Sequence, residues 1–185
     1  MSVNKFLIKL MTCWIVGSKC RKIVRRRLQS YFFSKELQHK AVRIGEALDC
    51  LGPVKVYGPK IYLSDHVNFN GATFLGRGNV RIGRYFHSGY GLTIMTESHN
   101  YEGSEIPYDN TFIVKDVEIG DFVWLGINVI LLPGTKIGKG AIIQAGSVVH
   151  GEIPPYAIAG GNPARVFSRR NSSHFDEMFV AEKFH

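Results

Sequence analysis

From Ile113 onward an aliphatic residue returns at every sixth position: Ile113, Ile119, Leu125, Leu131, Ile137, Ile143 and Val149. Two residues before each of the last six stands a small or β-branched one: Val117, Val123, Val129, Thr135, Ala141 and Ser147. Glycine often follows the aliphatic, at Gly120, Gly126 and Gly138. Upstream the same step runs through Leu51, Tyr57, Leu63, Phe69 and Leu75, slips by one residue, and resumes at Ile82, Ser88 and Ile94. A period of six is neither the 3.6 of a helix nor the two of a plain strand. It predicts an all-β chain of short strands, three to a turn, with turns stacked on one another. The repeated aliphatic points inward, and glycine or asparagine takes the bends. At about 18 residues per coil the two runs make roughly five coils.

Between the runs, Met95–Phe112 (MTESHNYEGSEIPYDNTF) is polar and aperiodic, and reads as a loop 95–112 thrown out from one corner. A loop this long in a compact domain is usually functional. The ends behave differently. Val3, Phe6, Leu7, Leu10, Met11 and Trp14 follow helical spacing, and a basic block from Lys19 to Arg27 comes next. Near the other end, Ser173 with Asp176 resembles a helix-capping pair, and Phe175 and Phe179 share a helical face. The expected organisation is a basic amphipathic helical arm over 1–50, a solenoid over 51–167, and a short C-terminal helix or tail over 168–185.

Charge sharpens this picture. The 185 residues carry a net +8, yet residues 1–30 hold eight Lys/Arg and no acid, so the rest is neutral. A neutral body argues against a nucleic-acid partner. Apolar stripe and basic block together fit a helix lying on an anionic membrane surface, with an arm packed on its own assembly as the alternative. The apolar stretch 6–16 is too short to span a bilayer, and no cleavage site follows it. Three cysteines without tight spacing give neither a disulfide framework nor a metal knuckle, and point to a reducing compartment. His66, His87 and His99 are 21 and 12 apart, without the close pair a metal site would show, so no metal is expected.

The hexads, the loop and the ending together resemble the hexapeptide-repeat acyltransferases, over residues 51–167. The resemblance implies a left-handed parallel β-helix, a homotrimer, and a donor site for acetyl-CoA between neighbouring β-helices. Ile82-Gly83 followed 17 residues later by His99, and Asn68-Phe69-Asn70 one coil before, are similar to the sugar-modifying members, though one extra residue separates the two motifs. In that likeness His99 is the catalytic base and Asn68 shapes the acceptor side. Imidazole, with a reference pKa of about 6.5, can take the hydroxyl proton as the oxygen attacks a thioester, and corner N–H groups can hold the developing oxyanion. The likeness also assigns Trp124, Gly126, Ala145, Gly146, Gly160 and Arg165 to coenzyme A. Small residues let the pantetheine arm approach the backbone, and Arg165 of Asn-Pro-Ala-Arg meets a phosphate. One departure stands out: His150-Gly151 occupies a turn where many relatives carry Thr-Lys.

The expected function is acetyl-CoA-dependent O-acetylation of a saccharide hydroxyl in surface-polysaccharide (O-antigen or capsule) assembly. The expected place is the cytoplasm, with peripheral contact on the inner face of the membrane. Three alternatives stay open: N-acetylation of an amino-sugar nucleotide, acetylation of serine or a drug, and a structural β-helix without turnover.

Overall fold

The computed structural model describes residues 18–184, with side chains from Lys22. The apolar stripe Val3–Trp14 lies outside the described residues. Helix α1 (Ser18–Lys40) leads into a β-solenoid of six turns with three parallel faces. The six-stranded face holds β1 (Arg43–Ile44), β4 (Lys60–Leu63), β7 (Asn79–Ile82), β12 (Val117–Ile119), β15 (Lys136–Ile137) and β18 (Glu152–Ile153). The seven-stranded face holds β2 (Asp49–Cys50), β5 (Asn68–Phe69), β8 (His87–Ser88), β13 (Trp124–Leu125), β16 (Ile142–Ile143), β19 (Ala157–Gly161) and β20 (Ala164–Arg169). The five-stranded face holds β3 (Val54–Tyr57), β6 (Ala72–Leu75), β9 (Leu92–Met95), β14 (Ile130–Leu131) and β17 (Val148–Val149). A hairpin of β10 (Glu97–His99) and β11 (Phe112–Val114) stands apart from all three, and α2 (Ser172–Val180) closes the chain.

The hexads explain the core. Ile119, Leu125, Leu131, Ile137, Ile143 and Val149 are at most 4% exposed, and their partners Val117, Val123, Val129, Thr135, Ala141 and Ser147 are as deeply buried. Each face thus sends in two residues per coil, one large and one small, which stack in columns down the prism. Pairings such as Glu118 with Lys136 and Trp124 with Ile142 hold the 18-residue step here.

Upstream the step is looser and the expected register is corrected. The inward residues are Cys50, Val56 and Phe74, where the hexads suggested Leu51, Tyr57 and Leu75; Tyr57 is 55% exposed. The coils there have 18 to 20 residues, as in Val54 with Ala72, Asn68 with His87 and Ala72 with Leu92. Each added turn residue moves the next strand by one position and so turns its side chains to the other face. Ile113 likewise belongs to the hairpin and not to the core column. The solenoid also opens inside the segment assigned to the arm, because Ile44 and Cys50 already take core-side positions at the six-residue step.

Helix α1 lies over the open end of the first coil and packs on β2 and β3. Leu37 is fully buried there, and Ser34 nearly so. Polar side chains on α1 bind the unpaired edge of the coil: Ser30 Oγ accepts from Cys50 N at 3.0 Å and Glu36 Oε1 from Val56 N at 2.9 Å. Lys40 Nζ donates to Val56 O at 2.6 Å. The Val56 N–H first, and Lys40 second, hold the Glu36 carboxyl below its ordinary pKa. At the other end, β20 turns back antiparallel on β19. Among the described residues, no helix is long and apolar enough to cross a membrane.

Burial pushes the Cys50 thiol up to about 12, so at pH 8 it stays protonated and unreactive. Timed alkylation read by peptide mass spectrometry should label Cys50 only on unfolding. Labelling in native buffer at the rate of a free peptide thiol would contradict the packing of the first coil.

Candidate functional site

The hairpin leaves the solenoid without disturbing it. β12 rejoins β7 in register, Val117 with Val80 and Ile119 with Ile82, across an excursion that adds a whole coil's worth of chain. His99 sits opposite Phe112 in this hairpin and is exposed. Its ring is oriented by stacking: Tyr108 lies 3.9 Å away at 21°, and Phe112 lies 4.8 Å away on the register partner. The Arg77 guanidinium covers Phe112 at 4.0 Å, and Arg77 Nε holds Glu97 Oε2 at 2.6 Å. Among the described residues no carboxylate bonds the His99 ring; Glu97 is engaged by Arg77.

The loop tip is tied by Asp109, which accepts from the Thr111 hydroxyl, from Ser104 N at 3.0 Å and from Thr111 N at 2.8 Å. These bonds, the Thr111 hydroxyl foremost, hold the carboxyl down at about 2. A depressed carboxylate supports structure above its ordinary pKa of 3.8 and loses that support as the pH falls through 2. Hydrogen exchange at Ser104 and Thr111, corrected for intrinsic rates, should therefore be as protected at pH 4.5 as at pH 7. Early loss of protection near pH 5 would mean the tip is held by something else.

Asn68 lies on the seven-stranded face, in an outward row that runs Asp49, Asn68, His87, Trp124, Ile142 and Ile158 through successive coils. Its Oδ1 is buried without a hydrogen-bond partner, and buried polar atoms of this kind call for a donor. Beside it, Asn70 Nδ2 donates to Ser88 O at 2.8 Å and lies 3.4 Å from His87 Nε2.

Trp124 is half-exposed in the same row and opens β13, which Gly126 follows. Gly126 stacks against the next coil so closely that a Cβ would lie 2.5 Å from Ala145 N. Gly146 N in turn donates to Ile127 O at 2.8 Å. One coil further, Gly160 faces the Gln144 side chain and pairs with Arg165 across β19 and β20. Trp124, Gly126, Ala145, Gly146, Gly160 and Arg165 thus form one continuous tract along the corner after the seven-stranded face. Asn68 stands two rungs from Trp124 in the same row. His99 does not join them within one chain, since its hairpin branches between the other two faces.

Sequence reasoning passed over a second corner. Ala47, His66, Tyr85, Phe122 and Tyr156 all have left-handed backbone, with φ between 54° and 60°, each just before a strand of the seven-stranded face. Non-glycine residues adopt this conformation at a cost of about 1 kcal/mol or more. Ring stacking offsets it: His66 on Tyr85 at 4.5 Å and 4°, Tyr85 on Phe122 at 4.9 Å and 8°. The signal was the recurrence of these residues at coil spacing. Helix α2 packs on this column, capped by Asn171, whose side chain accepts from His174 N at 3.0 Å. The expected Ser173 cap is corrected, because the cap is Asn171 and the helix starts two residues earlier.

A solenoid of stacked hexads with an aperiodic hairpin and a small-residue corner defines a class, and comparison with known proteins gives the family. Residues 116–151 match the model of the bacterial transferase hexapeptide (six repeats). A protein of Escherichia coli strain K12, named provisionally as an O-acetyl transferase of lipopolysaccharide biosynthesis, is 32% identical over 132 residues, 69% of this chain and 67% of its own. The galactoside O-acetyltransferase of Lactococcus lactis is 35% identical over 119 residues, 64% of this chain and 55% of its own. A galactoside acetyltransferase solved with coenzyme A superposes with a TM-score of 0.62 at 24% identity, covering 82% of each chain. The chain belongs to the hexapeptide-repeat acetyltransferase family. It spans 41% to 67% of the lengths of the first four curated relatives it matches.

Proposed function

We propose that this protein transfers an acetyl group from acetyl-CoA to a saccharide hydroxyl. The observation that carries the reading is the tract from Trp124 to Arg165, which shares a sheet with the orphaned amide oxygen of Asn68. The small residues Gly126, Ala145, Gly146 and Gly160 suit the close approach of a pantetheine arm, and Arg165 suits a phosphate. Trp124 packs near the thioester end. Asn68 shapes the acceptor side, and His99 removes the proton of the attacking oxygen. The thioester carbonyl oxygen, becoming negative, is held by backbone N–H groups, and the thiolate leaves with a proton returned from the imidazolium. No enzyme-bound acyl group is needed.

His99 and Asn68 belong to different faces of one prism, so their cooperation requires a second copy. A homotrimer with the site between neighbours meets this need. Residues 1–30 bring the enzyme to an anionic membrane surface, on the inner face of the cytoplasmic membrane, where a polysaccharide precursor is built.

Release of coenzyme A thiol should be measured with acetyl-CoA against a panel of glycans, amino-sugar nucleotides, serine and chloramphenicol. Release that depends on a saccharide hydroxyl is the expected outcome. Turnover of the amine acceptors alone would replace the O-acetyl reading. No binding of acetyl-CoA in a thermal-shift titration would leave a structural β-helix.

A further inference from the structure

We propose that the cavity between α2 and the seven-stranded face is the acceptor pocket, and that it selects saccharides bearing an anionic group, a phosphate or a carboxylate. This rests on the transferase reading above and names the substrate class for it.

The cavity measures about 790 Å³, within the range of small-molecule sites. Its floor is the outward row, with Asn68, His87 and Trp124 in sequence. Its opposite wall is α2 and the residues after it, including His174, Met178 and Lys183. This wall is built into the fold. Gly140 takes one rung of the stacked corner and leaves that rung without a ring. Phe175 of α2 fills the gap, 5.7 Å from Phe122 and 5.1 Å from Tyr156. A Cβ on Gly140 would lie 3.2 Å from the Phe175 ring and 3.0 Å from Tyr156, so a side chain there would press on both rings.

The charge pattern of the lining is one-sided. None of its residues is Asp or Glu, while Arg170 and Lys183 contribute two cations. Neither forms an ion pair among the described residues; the five ion pairs there use Arg26, Lys40, Arg77, Arg84 and Lys136. Arg170 instead lies over the Phe175 ring at 5.3 Å and reaches Gly140 O at 3.4 Å. Burial lowers its pKa, the signature of a cation drawn partly out of water without a carboxylate to face. The acids of α2, Asp176 and Glu177, are absent from this lining and border a neighbouring concavity that meets it at Asn171 and His174. Cations kept beside a cavity and carboxylates kept out of its lining favour an anion. The remaining chemistry is that of a sugar site. Trp124, half-exposed on the floor, offers a ring for the C–H face of a pyranose.

The test is calorimetry of the full chain with glucose 1-phosphate, glucuronic acid, methyl glucoside and inorganic phosphate, repeated on Lys183→Gln and Lys183→Arg. In the wild type the anionic sugars should bind about 10-fold tighter than methyl glucoside, the size of one charge-assisted contact. Lys183→Gln should remove most of that preference and Lys183→Arg should keep it, with the KM for acetyl-CoA unchanged within about two-fold in all three. Tighter binding of the sugar phosphate than of the uronic acid assigns the anion to phosphate, and the reverse assigns it to carboxylate. Equal binding of neutral and anionic sugars overturns the proposal. So does a rise in the KM for acetyl-CoA with the anion preference intact, which would assign Lys183 to the donor. Lysine-dependent anionic-sugar binding without any transfer would retain the pocket and reject the transferase. Transfer to neutral glycans without anion preference would do the opposite.

Discussion

His99→Ala should lower kcat by about 10²–10⁴, the contribution of a positioned general base, with the KM for acetyl-CoA nearly unchanged. The split follows from geometry. His99 stands in the β10–β11 hairpin, while the tract assigned to the donor runs from Trp124 to Arg165 on another face. Wild type and alanine variant should therefore differ in turnover and not in donor affinity. Tyr108→Ala should fall between the two. It removes the ring stacked 3.9 Å from the imidazole and leaves the base in place but unoriented. Steady-state kinetics, with circular dichroism to check folding, measures all three. An active His99→Ala enzyme with an unchanged kcat would move the base to Glu102 or Glu105.

Phe69→Ala should cost about 3–5 kcal/mol, a large share of the stability of an ordinary domain. Phe69 is fully buried at the centre of the upstream coils, with Phe74 at 5.7 Å and Phe86 at 5.5 Å. Parallel coils transmit the loss, since each aromatic leans on the coil above and below, and the cavity cannot collapse without shifting whole strands. Phe69→Leu, which keeps most of the apolar volume, should cost less than half as much. Urea unfolding followed by circular dichroism compares them. Equal, small shifts for both variants would mean that these coils are loosely packed. Because Asn68 and Asn70 flank Phe69, the alanine variant should also lose acceptor binding before it unfolds.

The strict downstream hexads were legible because the coils from Val117 to Val149 keep one length, so inward positions repeat without a slip. Leu51, Tyr57 and Leu75 were misplaced by one residue because turns that gain a residue reset the phase, and several residues near the true position are apolar. The tract of small residues could be read from sequence, since close packing of coils demands them at Gly126 and Gly160 and leaves a motif behind. The hairpin partners of His99 could not, because strand pairing across a polar loop depends on Phe112 meeting His99 nine residues after the Gly103 bend. Nor could the role of α2. It depends on an absent side chain at Gly140 meeting a ring 35 positions later, a relation that no local pattern records.

A stack of parallel coils has no intrinsic end. The top of one prism has the same hydrogen-bonding pattern as the bottom of another, and nothing in the hexads forbids growth into a fibre. This chain writes its stop signals outside the repeat. On one side Ser30, Glu36 and Lys40 of α1 occupy the N–H and C=O groups that a further coil would use. On the other, β20 reverses direction over β19, and Pro154 and Pro155 follow β18 without a donor to offer. The length of the solenoid is therefore set by its two terminators, and the coils between them are free to be counted out in any number.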